Sequence, residues 1–259
     1  MQDDPDDTMG LLADLTGATD PALRELAKRL AGRLFLDLAR RGPMRPRGVG
    51  RLREQPFRPD GGDLDLDASL DAIAAARAAG EAVDPEGLRV RGWVTPATAI
   101  ALVVDRSGSM GGAPLATSAV AAAAVACRVP GDYSVLSFGK EVVVPKSQDR
   151  DRPVEEVVDA VLALRGHGTT DVAAALTAAA EQLARSNAGR RIAVLLSDCR
   201  ATEPGDVTAA ARLVDELVIV APEGDSAEAE ALAAAVGARV TVVGGPAGVP
   251  DALARVLET

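Results

Sequence analysis

From residue 98 onward, short apolar runs alternate with longer stretches in which Ala, Val and Leu recur at helical spacing. The runs Ala99–Asp105, Tyr133–Phe138, Glu141–Pro145, Arg191–Ser197, Leu217–Ala221 and Arg239–Val243 predict six strands. Between and after them, Pro114–Cys127, Pro153–Leu164, Asp171–Ser186, Asp206–Glu216, Ala227–Val236 and a segment from Pro250 predict six helices. Strand–helix alternation of this kind implies an α/β fold with a mostly parallel sheet covered on both faces. The Gly139-Lys140 turn between two runs is a hairpin signal, so one edge strand is expected to be antiparallel.

The first 96 residues follow a different pattern. Leu23, Leu26, Leu30, Leu34 and Leu38 recur at helical spacing with Arg24, Lys28, Arg29, Arg33 and Arg40 between them, which predicts an amphipathic helix. Arg40 to Arg58 is rich in Arg, Pro and Gly and ends against Asp60, Asp63, Asp65 and Asp67, so it reads as an extended arm. A second helix is expected from Asp67 or Ser69 to about Ala79, before Gly80, and Asp84-Pro85 opens a short turn. The expected organisation is therefore a helical and partly extended region over 1–96 and an α/β domain over 97–259.

Composition narrows the function. Only 2% of the 259 residues are aromatic, so the core is built of Ala, Val and Leu. A net charge of −10 argues against a general nucleic-acid binder, and no aromatics interleave with the arginines of the arm to stack on bases. No segment has the roughly 18 charge-free apolar residues of a membrane span. The start, Met1 to Asp7, lacks the basic and apolar regions of an export signal, and a cytoplasmic location is expected. Two cysteines, Cys127 and Cys199, form no disulfide framework and read as free thiols.

The candidate chemistry sits where strands end. Ile100-Ala-Leu-Val-Val-Asp-Arg-Ser-Gly-Ser-Met110 runs from an apolar strand into Asp105, Ser107 and Ser109, oxygen donors on alternate residues. Gly166-His-Gly-Thr-Thr-Asp171 offers a hydroxyl beside a helix start, from Thr169 or Thr170, and Ile192 to Asp198 ends a second buried strand in a carboxylate. An oxygen-only set favours a hard cation, Mg2+ first, with Mn2+ or Ca2+ as alternatives; zinc favours His and Cys, and His167 is the single histidine. Taken alone, Asp105 to Ser109 would also suit a capped strand-to-helix turn.

Asp-x-Ser-x-Ser, a Gly-x-Thr and a strand-terminal Asp in this order resemble the metal-ion-dependent adhesion site of von Willebrand factor A domains, over roughly residues 97 to 259. The resemblance implies a doubly wound sheet of order 3-2-1-4-5-6, in which strands one and four adjoin and bring Asp105 and Asp198 to one crevice. It implies a metal site of Asp105, Ser107, Ser109, Thr170 and Asp198. Thr170 is preferred over Thr169 because it precedes the apolar Leu176 by the family's six residues. It also implies that a partner protein supplies an Asp or Glu as the last ligand. Among intracellular relatives, the layout is similar to bacterial proteins that work with MoxR-type AAA+ ATPases and to the corresponding module of the magnesium chelatase D subunit, whose chelation chemistry is not carried over.

Other readings have less behind them. No Gly-x-x-x-x-Gly-Lys-Ser/Thr or Gly-x-Ser-x-Gly occurs, so phosphate-loop hydrolysis and serine hydrolysis lack their loops, and the chain reads as a non-enzyme. A metal-dependent hydrolase is the weakest alternative. A metal-independent scaffold docking through the Arg40 to Arg58 arm is the runner-up to a Mg2+-dependent adaptor.

Overall fold

The computed structural model describes residues 5–16, 21–40, 51–57, 63–94, 97–106, 112–164 and 168–257. They fall into two compact units, residues 1–47 with 98–259 and residues 48–97.

In the larger unit, β4 (Thr98–Asp105), β5 (Tyr133–Phe138), β6 (Val142–Lys146), β7 (Arg190–Leu196), β8 (Glu216–Pro222) and β9 (Arg239–Val243) form one sheet ordered β6-β5-β4-β7-β8-β9. That is the expected order 3-2-1-4-5-6. All neighbours are parallel except the edge pair β5–β6, joined through Gly139 as the hairpin signal predicts. Alternation along β4 divides the core: Ile100, Leu102 and Val104 join one cluster, while Ala99, Ala101 and Val103 join the other. The first cluster packs on α4 (Gly112–Arg128), α5 (Val154–Leu162) and α9 (Val249–Leu257). The second packs on α6 (Val172–Leu183), α7 (Val207–Ala211) and α8 (Ala227–Val236). Helix α7 stops well short of the expected Glu216, because the chain turns at Arg212 to Asp215 to enter β8.

Two further helices belong to this unit. α1 (Pro5–Leu15) and α2 (Pro21–Ala39) lie against α4, and Met9, Ala13, Ala31 and Phe35 share the core of Ile100 and Leu115. The boundary expected between residues 96 and 97 therefore does not separate the amino-terminal helices from the sheet. This explains why α4 is apolar all round: one side meets the sheet and the other is covered by α1 and α2. Of the leucines expected on the packed face of α2, Leu38 is buried and Leu34 packs against the core. Leu30 is 52% exposed, and Ala27, Ala31, Phe35 and Leu38 form the buried face. Small side chains there let α2 approach the Ala-rich α4.

The smaller unit carries β1 (Arg51–Pro56), β2 (Asp63–Leu64), α3 (Leu66–Ala79) and β3 (Arg89–Val94), with an antiparallel sheet ordered β1-β3-β2. The expected extended arm thus ends in a strand. Asp65 caps α3 by accepting from the Ala68 amide at 3.2 Å and pairs with Arg91 at 2.6 Å. Gly80 closes the helix in the left-handed region at φ 70°. No described helix is long and apolar enough to cross a membrane.

Candidate metal centre

The parallel register places Val104 of β4 beside Leu196 of β7, so the next residues, Asp105 and Ser197, leave the sheet side by side. Asp105 Oδ2 accepts a hydrogen bond from Ser197 Oγ at 2.6 Å. Ser197 Oγ in turn accepts from the Cys199 amide at 2.9 Å, and the Ser197 amide donates to Val220 O on β8 at 3.3 Å. Asp198 follows directly, with Oδ1 accepting from the Arg200 amide at 2.9 Å. Arg200 itself turns its guanidinium to Asp225 at 2.5 Å, so it does not neutralise Asp198.

The turn that makes this arrangement is strained. Cys199 has φ 64° and is the only non-glycine residue in the left-handed region among the described residues. Its side chain is buried, and burial, followed by the negative charges of Asp198 and Asp105, pushes the thiol up to about 12. Cys199 is a packed, protonated thiol, as the sequence reading of an ordinary free cysteine has it.

Thr170 is 4% exposed and is tied to the same region by its backbone. Its amide donates to Thr202 Oγ1 at 2.7 Å, and its carbonyl accepts from the amides of Thr202 at 3.0 Å and Glu203 at 3.2 Å. The Asp171 amide reaches Gly139 O at 2.9 Å, and the Arg106 amide reaches Phe138 O at 2.8 Å, so the turn after β5 braces both loops. Gly168, at φ 93°, provides the bend before the threonines. Asp171 caps α6 by accepting from the Ala174 amide at 2.9 Å. Thr169 Oγ1 is buried with no hydrogen-bond partner among the described residues, a position costing about 1–3 kcal/mol unless some further group meets it. Arg106 donates its guanidinium to Glu141 O at 3.2 Å.

Of the predicted site residues, Asp105, Asp198 and Thr170 come to the same end of the sheet; Ser107, Ser109, Gly166 and His167 lie outside the described residues. Sequence reasoning missed Ser197 and Thr202. Ser197 carried one signal, a hydroxyl immediately before the strand-terminal Asp198; Thr202 carried none. A cavity of about 250 Å³ opens here, lined by Asp105, Ser197 and Asp198 together with Val220, Val243 and Gly245. Two rim loops are fastened by α1: Asp14 Oδ1 accepts from the Gly112 amide at 2.5 Å and Asp6 Oδ1 from the Ala247 amide at 2.9 Å. No cluster of three His, Cys, Asp or Glu side chains with metal-ligand geometry occurs among the described residues. The donor set that does converge is two carboxylates and hydroxyls, which suits a hard cation.

A crevice at the carboxyl ends of adjoining strands one and four, lined by these residue types, matches the architecture that the resemblance implied. The family model of the VWA domain containing CoxE-like protein matches residues 38–245. The chain belongs to this family. Von Willebrand factor A domains of this kind are protein-interaction modules in general and not enzymes. Among solved structures, the VWA fold of a von Willebrand factor type A protein from Catenulispora acidiphila is 16% identical, covering 66% of this chain and 43% of that one, with a TM-score of 0.49. Proximal thread matrix protein 1 from the mussel byssus, solved with a zinc occupied MIDAS motif, is 12% identical over 62% of this chain and 47% of its own, with a TM-score of 0.49. BatB from Bacteroides thetaiotaomicron is 12% identical over 61% of this chain and 95% of its own, with a TM-score of 0.47. The chain spans less than half the length of the first two. A comparison with curated proteins found no match.

Proposed function

We propose that this chain is a cytoplasmic, Mg2+-dependent adaptor that grips an Asp or Glu of a partner protein and couples it to a MoxR-type AAA+ ATPase in assembly or remodelling. The observation that carries the reading is the Ser197 hydrogen bond to Asp105, which joins the ends of the two central strands and sets Asp105 beside Asp198. In this reading Asp105, Ser107, Ser109, Thr170 and Asp198 hold the ion, directly or through water. The bound cation supplies a Lewis-acidic point with room for one more oxygen ligand. Where Asp105 or Asp198 acts through water, the direct ligands are mainly neutral hydroxyls, and the ion would keep an affinity for an incoming carboxylate. Free, unpaired cysteines agree with a reducing compartment.

The chain's own residues orient the site. Backbone bonds between Thr170 and the Thr202–Glu203 segment fix the threonine loop against the loop that carries Asp198. The Thr169 hydroxyl, buried without a hydrogen-bond partner among the described residues, makes Thr169 a competitor to Thr170, so both are tested. Mn2+ binding followed by electron paramagnetic resonance, with Mg2+ in competition, is measured for wild type, Asp105→Ala, Thr170→Val and Thr169→Val. The reading expects binding to be lost in Asp105→Ala and Thr170→Val and kept in Thr169→Val. Retention in Asp105→Ala overturns the site, and the reverse order of the threonines moves the ligand to Thr169. For the partner, capture of the host's MoxR-type ATPase is compared in Mg2+, in chelator and with Asp105→Ala. Capture of that ATPase insensitive to both changes favours the metal-independent scaffold.

A further inference from the structure

We infer that Ser197 is a positioning residue for the metal centre: its hydroxyl locks one rotamer of the Asp105 carboxylate. The inference rests on the metal-site reading above. Ser197 is 6% exposed and stands at the end of β7, where a serine is neither needed for the strand nor well placed to reach water.

The direction of its single hydroxyl proton is dictated by its neighbours. The Cys199 amide donates into Ser197 Oγ at 2.9 Å and so occupies an acceptor position. The Ser197 proton is then left to the other contact, the 2.6 Å bond to Asp105 Oδ2, whose length is that of an O–H donor on a charged carboxylate. The Cys199 amide reaches back to Ser197 across the tight turn of Ser197 to Cys199, and the chain then leaves through the left-handed region at Cys199. One continuous relay therefore runs from the Cys199 amide, through Ser197, to Asp105. Holding Oδ2 this way fixes the carboxylate plane and the direction in which Oδ1 is presented. Groups that orient a ligand from behind in this manner commonly change metal affinity about 10- to 100-fold when removed.

A tie that merely joined β4 to β7 predicts something different. Its loss would lower the stability of the metal-free protein and leave the affinity alone. The experiment therefore measures Mn2+ affinity by electron paramagnetic resonance and Mg2+ affinity by calorimetry, with metal-free melting in parallel, for wild type, Ser197→Ala, Ser197→Thr and Asp105→Ala. The inference expects affinity at least 10-fold weaker in Ser197→Ala and within about threefold of wild type in Ser197→Thr, which keeps the hydroxyl. If Ser197→Ala melts lower but binds as wild type, or if Ser197→Thr fails to rescue while folding normally, the positioning role is overturned. Loss of binding in Asp105→Ala with full binding in Ser197→Ala sinks only this inference. Full binding in Asp105→Ala sinks the metal-site reading beneath it.

Discussion

The left-handed conformation of Cys199 can be tested by asking which small residue the turn prefers. In an ordinary buried position, Gly is worse than Ala by about 0.5–1 kcal/mol from backbone freedom and by up to about 0.8 kcal/mol from the missing methyl group. Near 1.5 kcal/mol in total, this would lower melting by about 3–6 °C in a chain of this size. At φ 64° an L residue carries a penalty that glycine escapes, about 1–2 kcal/mol. The two effects are of equal size and opposite sign. Cys199→Gly and Cys199→Ala are therefore expected to melt within about 2 °C of each other in calorimetry with chelator present. Both lie below or near wild type, because each gives up a thiol that is only 8% exposed. A glycine variant melting 3 °C or more below the alanine variant would refute the strain at Cys199. Both substitutions keep the Cys199 amide, so neither is expected to abolish Mn2+ binding.

Three further outcomes follow from the structure. Mg2+ at 100 times its dissociation constant adds about 2.7 kcal/mol to a protein that binds it only when folded, so wild type is expected to melt about 5–10 °C higher and Asp198→Ala to show no rise; an equal rise in both rejects Asp198 as a ligand. Asp14→Ala removes the acceptor for the Gly112 amide at the start of α4 and should cost about 1 kcal/mol in urea unfolding, whereas an unchanged midpoint refutes the clasp. Glu216 is held below its ordinary value of 4.5, first by the hydrogen bond from Arg190 and then by the charges of Arg190 and Arg239, against the opposing effect of burial. Its stabilisation is thus fully present above pH 4.5 and lost as pH falls through the depressed value. The side chain is 35% exposed, so screening limits the contribution to at most about 1 kcal/mol, and Glu216→Gln should flatten acid-side stability by no more than that.

The six-stranded sheet was legible because β4 to β9 are apolar runs bounded by turn residues, and their side-chain period could not be confused with the Ala-rich helices between them. The three-stranded sheet was not. β1 reads Arg-Leu-Arg-Glu-Gln-Pro and β2 is two residues long, so neither carries an apolar alternation; they form by pairing with β3. α1 was hidden for a related reason: its sequence begins Pro-Asp-Asp and contains a glycine, and it is held by packing on α4 more than by propensity. At the candidate site, Asp105 and Asp198 stood out by residue type at strand ends, whereas Thr170 was preferred over Thr169 only through the family resemblance. Ser197 did not stand out, because a serine before a strand-terminal Asp looks like any solvent-facing residue until the register of β4 against β7 places it on Asp105.

In the proposed reading, the same register accounts for an acidic partner's need of the ion. Asp105 and Asp198 line the cavity, and Asp6 and Asp14 bond to amides on its rim loops, in a chain whose net charge is −10. A carboxylate approaching this rim without a cation meets like charges at close range, and such repulsion costs more as water is excluded. The two carboxylates that hold the proposed ion are thus also the groups that reject the partner in its absence. Metal loading then selects between repulsion and coordination at a single point, and chelation should abolish an acidic partner's binding outright; a metal-independent scaffold would lose nothing.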